Sequence, residues 1–186
     1  EVIGIIEVLK GKQNRLYNEI KEVAVKLLTL SGKYSEEEAE KAFCFVVESG
    51  AALRKLAEMV HAQHGDESYI LHPEKFVLGS KYEVVAEKDG FVDKMNAANI
   101  GRAVTLLGGG RMKKEDKIDF SVGVVMSVCL GSAVKKGDVL CTVYHNGKGL
   151  DEAVEMLKQS IHIGDKAPSA HKIAYAYVSK NGVQWY

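Results

Sequence analysis

The chain has 186 residues, with 25 Lys and Arg balanced by 25 Asp and Glu and 46% hydrophobic residues. That length suits one large domain or a domain with an appendage, and the composition excludes wholesale disorder. Zero net charge removes the electrostatic case for a nucleic-acid or anionic-membrane surface.

Residues 1 to about 72 read as helix throughout. Val2, Ile5, Ile6 and Leu9 recur at spacings of three and four, which predicts a helix over Glu1–Leu9 stopped by Gly11. This helix has no N-cap before it and the first residue is not Met, so the chain is expected to begin within a longer protein. A second helix is predicted from Asn14 to Leu30, burying Leu16, Ile20, Val23, Leu27 and Leu30. Ser35 caps a third, with Glu36, Glu37 and Glu38 in its first turn. Ser49-Gly50 interrupts it, and Ala51–His64 continues helically until Gly65-Asp66.

From Pro73, taken as the domain boundary, the period changes. Lys81–Ala86 and Gly90–Met95 read as strands joined by the turn Lys88-Asp89-Gly90. Ala97–Leu107 reads as a helix that stops at Gly108-Gly109-Gly110. Strands are predicted over Phe120–Leu130 and Val139–Tyr144, with the polar stretch Gly131–Asp138 between them. A helix over Asp151–Ser160, capped by Asp151, and a strand over Lys172–Ser179 complete the chain. The expected class is α+β, with a helical segment 1–72 and an α+β domain 73–186.

Read without a family, the chemistry is thin. Gly108-Gly109-Gly110-Arg111 follows a helix rather than a strand, and it lacks the Lys-Ser/Thr of a phosphate loop. It reads either as a helix C-cap or as a mobile flap whose Arg111 reaches an anion. His61, His64 and His72 are not spaced as a zinc set, and no metal or organic cofactor is expected. No Gly-x-Ser-x-Gly elbow is present, so no catalytic residue is assigned. The three cysteines (Cys44, Cys129, Cys141) are too few for a disulfide framework and point to a reducing cytoplasm; Cys129 and Cys141 read as small core residues. No apolar run reaches the roughly 18 residues of a membrane span, and no signal peptide is visible. The charge runs Lys113–Asp119 and Lys135–Asp138 read as solvated segments.

The stretch from Ala97 to Asn146 carries a resemblance. Ala98-Asn99-Ile100-Gly101, Leu107-Gly108-Gly109-Gly110-Arg111, Lys114-Glu115-Asp116, Ile118-Asp119, Val122-Gly123 and Gly131 to Gly137-Asp138 stand in the order and spacing of the thymidine and pyrimidine-nucleoside phosphorylases. Glu48-Ser49-Gly50-Ala51-Ala52 and Ala62-Gln63-His64-Gly65-Asp66 resemble that family's Ser-Gly-Ala-Ala and Ala-Gln-Gly-Gly-Asp patterns, and Glu1-Val2 resembles the end of its Asn-Ala-Leu-Glu-Val segment. The resemblance covers essentially the whole chain.

It implies a C-terminal portion alone. Residues 1–72 resemble the end of the family's central domain, and residues 73–186 its C-terminal barrel-sandwich hybrid, a hammerhead-like α+β domain. The family cleaves pyrimidine nucleosides with phosphate, its co-substrate, to free base and pentose 1-phosphate. Its phosphate loop and its base-gripping Arg, Ser and Lys belong to the part that is not here. This chain alone is therefore expected to be inactive, and the full-length enzyme to be a cytoplasmic homodimer. Gly108, Gly109, Gly110 and Arg111 are implied as a loop that closes on substrate. Gly4 stands where many members have an acidic cation ligand, so a cation site is not implied. Two rival readings remain. Asp89-Gly90-Phe91-Val92 and Gly131–Leu140 also resemble the halves of a biotinyl or lipoyl carrier, for which Lys94-Met95 and Met112-Lys113 are weak imitations of a carrier lysine; the other rival is a non-catalytic interaction module.

Overall fold

The computed structural model describes residues 2–169 and 172–185. Glu1, the expected start of the first helix, lies outside them. By their contacts the described residues form two units: 2–76 together with 172–185, and 77–169. The C-terminal residues from 172 on thus group with the helices, although sequence patterning assigned them to the domain beginning at Pro73. Pro73 itself opens a short 3-10 turn, Pro73–Lys75, at the end of the helical segment.

The first unit is built from α1 (Val2–Leu9), α2 (Arg15–Leu30), α3 (Glu36–Glu48), α4 (Ala51–Ala62) and a single turn, α5 (Ser68–Leu71). Local chemistry sets the helix starts. The Asn14 side chain accepts from the Tyr17 N–H and caps α2. Ser35 and Glu38 cap α3 reciprocally: Ser35 Oγ accepts from the Glu38 N–H, and the Ser35 N–H donates to Glu38 Oε2 at 2.8 Å.

α1 serves two small cores. Val8 packs with Tyr17, Phe43 and Val47, whereas Ile6 packs with Ala57 and Ile70. The rings of Tyr17 and Phe43 meet edge to face at 5.5 Å, joining α2 to α3. That contact turns α2 away from the expected orientation. Tyr17 and Val25 are buried and Leu16 and Ile20 partly so, while Val23, Leu27 and Leu30 are all more than half exposed. A short hairpin completes the unit: Ala176–Ser179 pairs antiparallel with Gly182–Trp185, so only the last four residues of the predicted Lys172–Ser179 strand are extended pairing backbone.

The second unit holds two three-stranded antiparallel sheets. In chain order its strands are β1 (Ser80–Val85), β2 (Gly90–Met95), β3 (Gly123–Met126), β4 (Ala133–Val134), β5 (Val139–His145) and β6 (Ile161–Gly164). One sheet has the order β1-β5-β3, the other β4-β2-β6. Helices α6 (Ala97–Val104) and α7 (Leu150–Ser160) complete it. One core unites Val84, Val92, Ala103, Leu107, Leu140, Cys141, Val143, Ala153, Leu157, Ile161 and Ile163. The α+β class holds, and no closed barrel is seen among the described residues.

The long strand expected over Phe120–Leu130 shrinks to four residues. Ser121 is taken up by a turn with Asp119, Phe120 is 87% exposed, and at the other end Cys129 and Ser132 close a turn on each other. The polar stretch Gly131–Asp138 contains β4 as well as a turn. The expected cap of α7 moves two residues: Gly149, at φ +58°, is the N-cap, and Asp151 sits in the first turn with Glu152, where their charge suits the helix dipole.

Candidate functional site

The glycine triplet lies where α6 ends. After Val104 the helix widens into a π turn over Thr105–Gly109, and Gly108 breaks it with a left-handed φ of +99°. Each of the three glycines has a reason, spatial for two and conformational for one. A Cβ on Gly109 would lie 2.7 Å from Val104 Cγ1 and 3.3 Å from Val122 Cγ2, and one on Gly110 would lie 2.7 Å from Thr105 Oγ1. Gly108 has room, with Lys148 Cδ the nearest atom at 3.6 Å, but only glycine takes its φ without strain. The triplet is therefore a wedged helix end. Arg111 and Met112, beyond it, are exposed.

Two carboxylates hold the segment that leaves the triplet. Asp116 Oδ2 accepts the main-chain N–H groups of Met112 and Lys113, each at 2.9 Å. Asp119 does more. Its N–H donates to the Gly108 carbonyl at 2.9 Å. Its Oδ1 accepts from the N–H and hydroxyl of Ser121, at 2.9 and 2.6 Å, and its Oδ2 accepts from Asn146 Nδ2 at 2.7 Å. Asn146 Nδ2 also reaches Ser121 Oγ at 2.8 Å, and the Ser121 carbonyl accepts from the Gly79 N–H just before β1. Asp119 thus joins the glycine turn, the approach to β3 and the loop leaving β5.

These bonds are to the charged form. Ser121, first, and then Asn146 hold the Asp119 carboxyl below the usual carboxylate range. The Lys113 and Met112 amides do the same for Asp116, and the Lys148 ammonium acts in the same direction. The charge run read as merely solvated is, at these two residues, a pair of structural anchors. Part of the signal was present as spacing: Asp119 precedes Ser121 by two, an Asx-turn interval, whereas Asp116 reaches back to amides three and four residues before it.

The 146–149 loop lies against the same turn. A Cβ on Gly149 would sit 2.5 Å from the Leu106 carbonyl oxygen, so the backbones approach closely there. Lys148 then lays its methylenes beside Gly108.

Other sequence candidates fall apart in space or into packing roles. His61 pairs with Glu67 at 2.7 Å and His72 with Glu74 at 3.1 Å, separately. Among the described residues no group of three His, Cys, Asp or Glu is arranged to hold a metal. Cys141 is buried, and burial pushes its thiol up to about 11. Cys44 and Cys129 are half-buried. Lys94 lies within β2, opposite His162, rather than on a hairpin tip, whereas Lys113 is exposed in a bend whose main-chain N–H is held by Asp116. Two open hollows in the helical unit, of about 230 and 410 Å³, are lined largely by charged side chains, among them the paired Lys21 and Glu40. No described helix is long and apolar enough to cross a membrane.

Residues 91–164, from β2 through β6, match the pyrimidine nucleoside phosphorylase C-terminal domain. The chain is 35% identical over 179 residues to the pyrimidine-nucleoside phosphorylases of Staphylococcus aureus strains bovine RF122 / ET3-1, USA300 and NCTC 8325. That similarity covers 93% of this chain and 41% of each relative, so the chain spans about two fifths of their length. Over 93% of its length the chain is similar to these pyrimidine-nucleoside phosphorylases, and over residues 91–164 it is similar to the C-terminal domain of such enzymes.

Proposed function

We propose that this chain works as the C-terminal portion of an enzyme that cleaves pyrimidine nucleosides with phosphate, giving free base and a (deoxy)ribose 1-phosphate. The carrying observation is 35% identity over 93% of the chain, with the family's C-terminal domain matched across β2 to β6. In such a reaction the sugar becomes cation-like as the base departs. Catalysis then needs phosphate oxygens held against C1′ and donors aimed at the leaving base. This sequence contains neither a Lys-x-Ser-x-Gly-Gly phosphate loop nor another nucleotide loop. The chain by itself is accordingly proposed to lack turnover, with phosphate as co-substrate and no other cofactor.

Within that reading, Gly108, Gly109, Gly110 and Arg111 form the loop that closes on bound substrate. Support comes from a left-handed pivot at Gly108 and an exposed guanidinium three residues on, which suits an anion. Residues 1–72 correspond to the end of a central domain and 73–186 to a barrel-sandwich hybrid, the latter favoured, within Ser80–Gly164, by two small antiparallel sheets around one core. A cytoplasmic homodimer is the proposed working form of the longer enzyme.

The test is base release from uridine and thymidine, with and without phosphate. It is run on this chain and on the longer polypeptide expressed with the sequence upstream of Glu1. Phosphate-dependent release by the longer polypeptide alone is the expected result. Turnover by the 186-residue chain overturns the proposed division of labour, and no release from either nucleoside by the longer polypeptide overturns the activity.

A further inference from the structure

We propose that Asp119 is a positioning residue that sets the resting place of the 108–111 loop, an inference that rests on the reading of that loop as substrate-closing. A loop that closes needs one end fixed while the other moves. Gly108 is where the backbone turns, and its carbonyl is held by the Asp119 N–H at 2.9 Å. That N–H can hold the pivot only if Asp119 is itself immobile. Its carboxylate provides this by accepting three hydrogen bonds, two from Ser121 at the approach to β3 and one from Asn146 after β5. Ser121 is tied onward to Gly79, beside the first residue of β1. The pivot is thus referred to three strands of one sheet, β1, β5 and β3. Arg111 has no such tether among the described residues. The second carboxylate, Asp116, holds Met112 and Lys113 and so shapes the far side of the loop without touching its pivot.

Charge and acceptor capacity separate this role from simple packing. Asp119→Asn keeps the shape but replaces one accepting oxygen with a donor that meets either the Asn146 side-chain NH2 or the Ser121 N–H, neither of which can accept. Hydrogen exchange of the residue-119 amide, measured by NMR on this chain, reads the pivot bond directly. Asp119→Asn is expected to speed that exchange about tenfold while core amides at Cys141 and Val143 stay protected. Asn146→Ala, which removes one donor only, gives a smaller acceleration of the same amide and serves if Asp119→Asn does not fold. Asp116→Asn leaves it unchanged. In the longer polypeptide, Asp119→Asn is expected to lower kcat/KM for phosphorolysis about tenfold, with the melting temperature nearly constant.

Unchanged exchange at residue 119 in both Asp119→Asn and Asn146→Ala overturns the positioning role, whatever the kinetics. Faster exchange with unaltered kcat/KM in an active polypeptide shows an anchor that the reaction does not use, and likewise overturns it. A longer polypeptide without phosphorolysis, but with exchange accelerated as expected, rejects the proposed activity and leaves the anchoring measured.

Discussion

His64 has a left-handed backbone, φ +62°, alone among the described non-glycine residues. It follows α4, and the next N–H, that of Gly65, donates back to the Val60 carbonyl at 2.9 Å, closing the helix end. Glycine carries no penalty in that conformation. His64→Gly is therefore expected to stabilise the chain by about 0.5–1 kcal/mol, read as a rise in melting temperature. The glycines of the loop predict the opposite sign. Gly109→Ala drives a methyl to 2.7 Å from Val104 and should cost about 1–3 kcal/mol. Gly4, inside α1 with nothing within 4 Å of an added Cβ, should instead tolerate alanine and gain up to about 1 kcal/mol. Chemical denaturation of the three variants checks the order. The two anchoring aspartates add a pH dependence. Their folded pKa values lie below the unfolded value near about 3.9, so their contribution is complete above that pH and is lost only as pH falls through the folded values. The loop should keep its exchange protection at about pH 5 and lose it in stronger acid; loss between about pH 7 and 5 contradicts the assignment.

Among elements, α7 carries the most weight in the second unit. Ala153 and Leu157 are fully buried, and Val154 and Ser160 nearly so. Leu157→Ala is expected to cost about 2–5 kcal/mol, a loss measurable by denaturant unfolding. The capped helices were legible in the sequence because their signals are local: Asn14, Ser35 and Glu38 act within three residues of themselves. The short strands were not. β4 has two residues and β6 four, too few for a period to assert itself, and β6 begins directly at the end of α7. Its buried Ile161 and Ile163 flanking an exposed His162 are the only trace. Valine content over 120–130 misled in the other direction, since propensity cannot see that Asp119 and Ser121 have already committed the chain to a turn. The loop residues 108–111 were visible as a motif. Their anchor was not, because it joins positions 25 to 27 apart.

At the scale of the molecule, the two units differ in how much they bury. The second has one continuous core, whereas the helical unit has two separate buried clusters, of four and three residues. Amides of α2–α4 are thus expected to exchange faster than those of β5 and α7, which hydrogen-exchange mass spectrometry resolves peptide by peptide. The return of residues 172–185 to the helical unit has a mechanical consequence. A chain pulled by residues near its two ends is loaded through the helical unit at both grips, because the 77–169 unit lies between two segments of it in sequence. Tension reaches β1 and α7 only once the residues from 172 on, such as Ile173 beside Val25 of α2, have parted from the helical unit. In single-molecule stretching the small helical steps should come first, and the second unit should extend only afterwards, as a shielded insert.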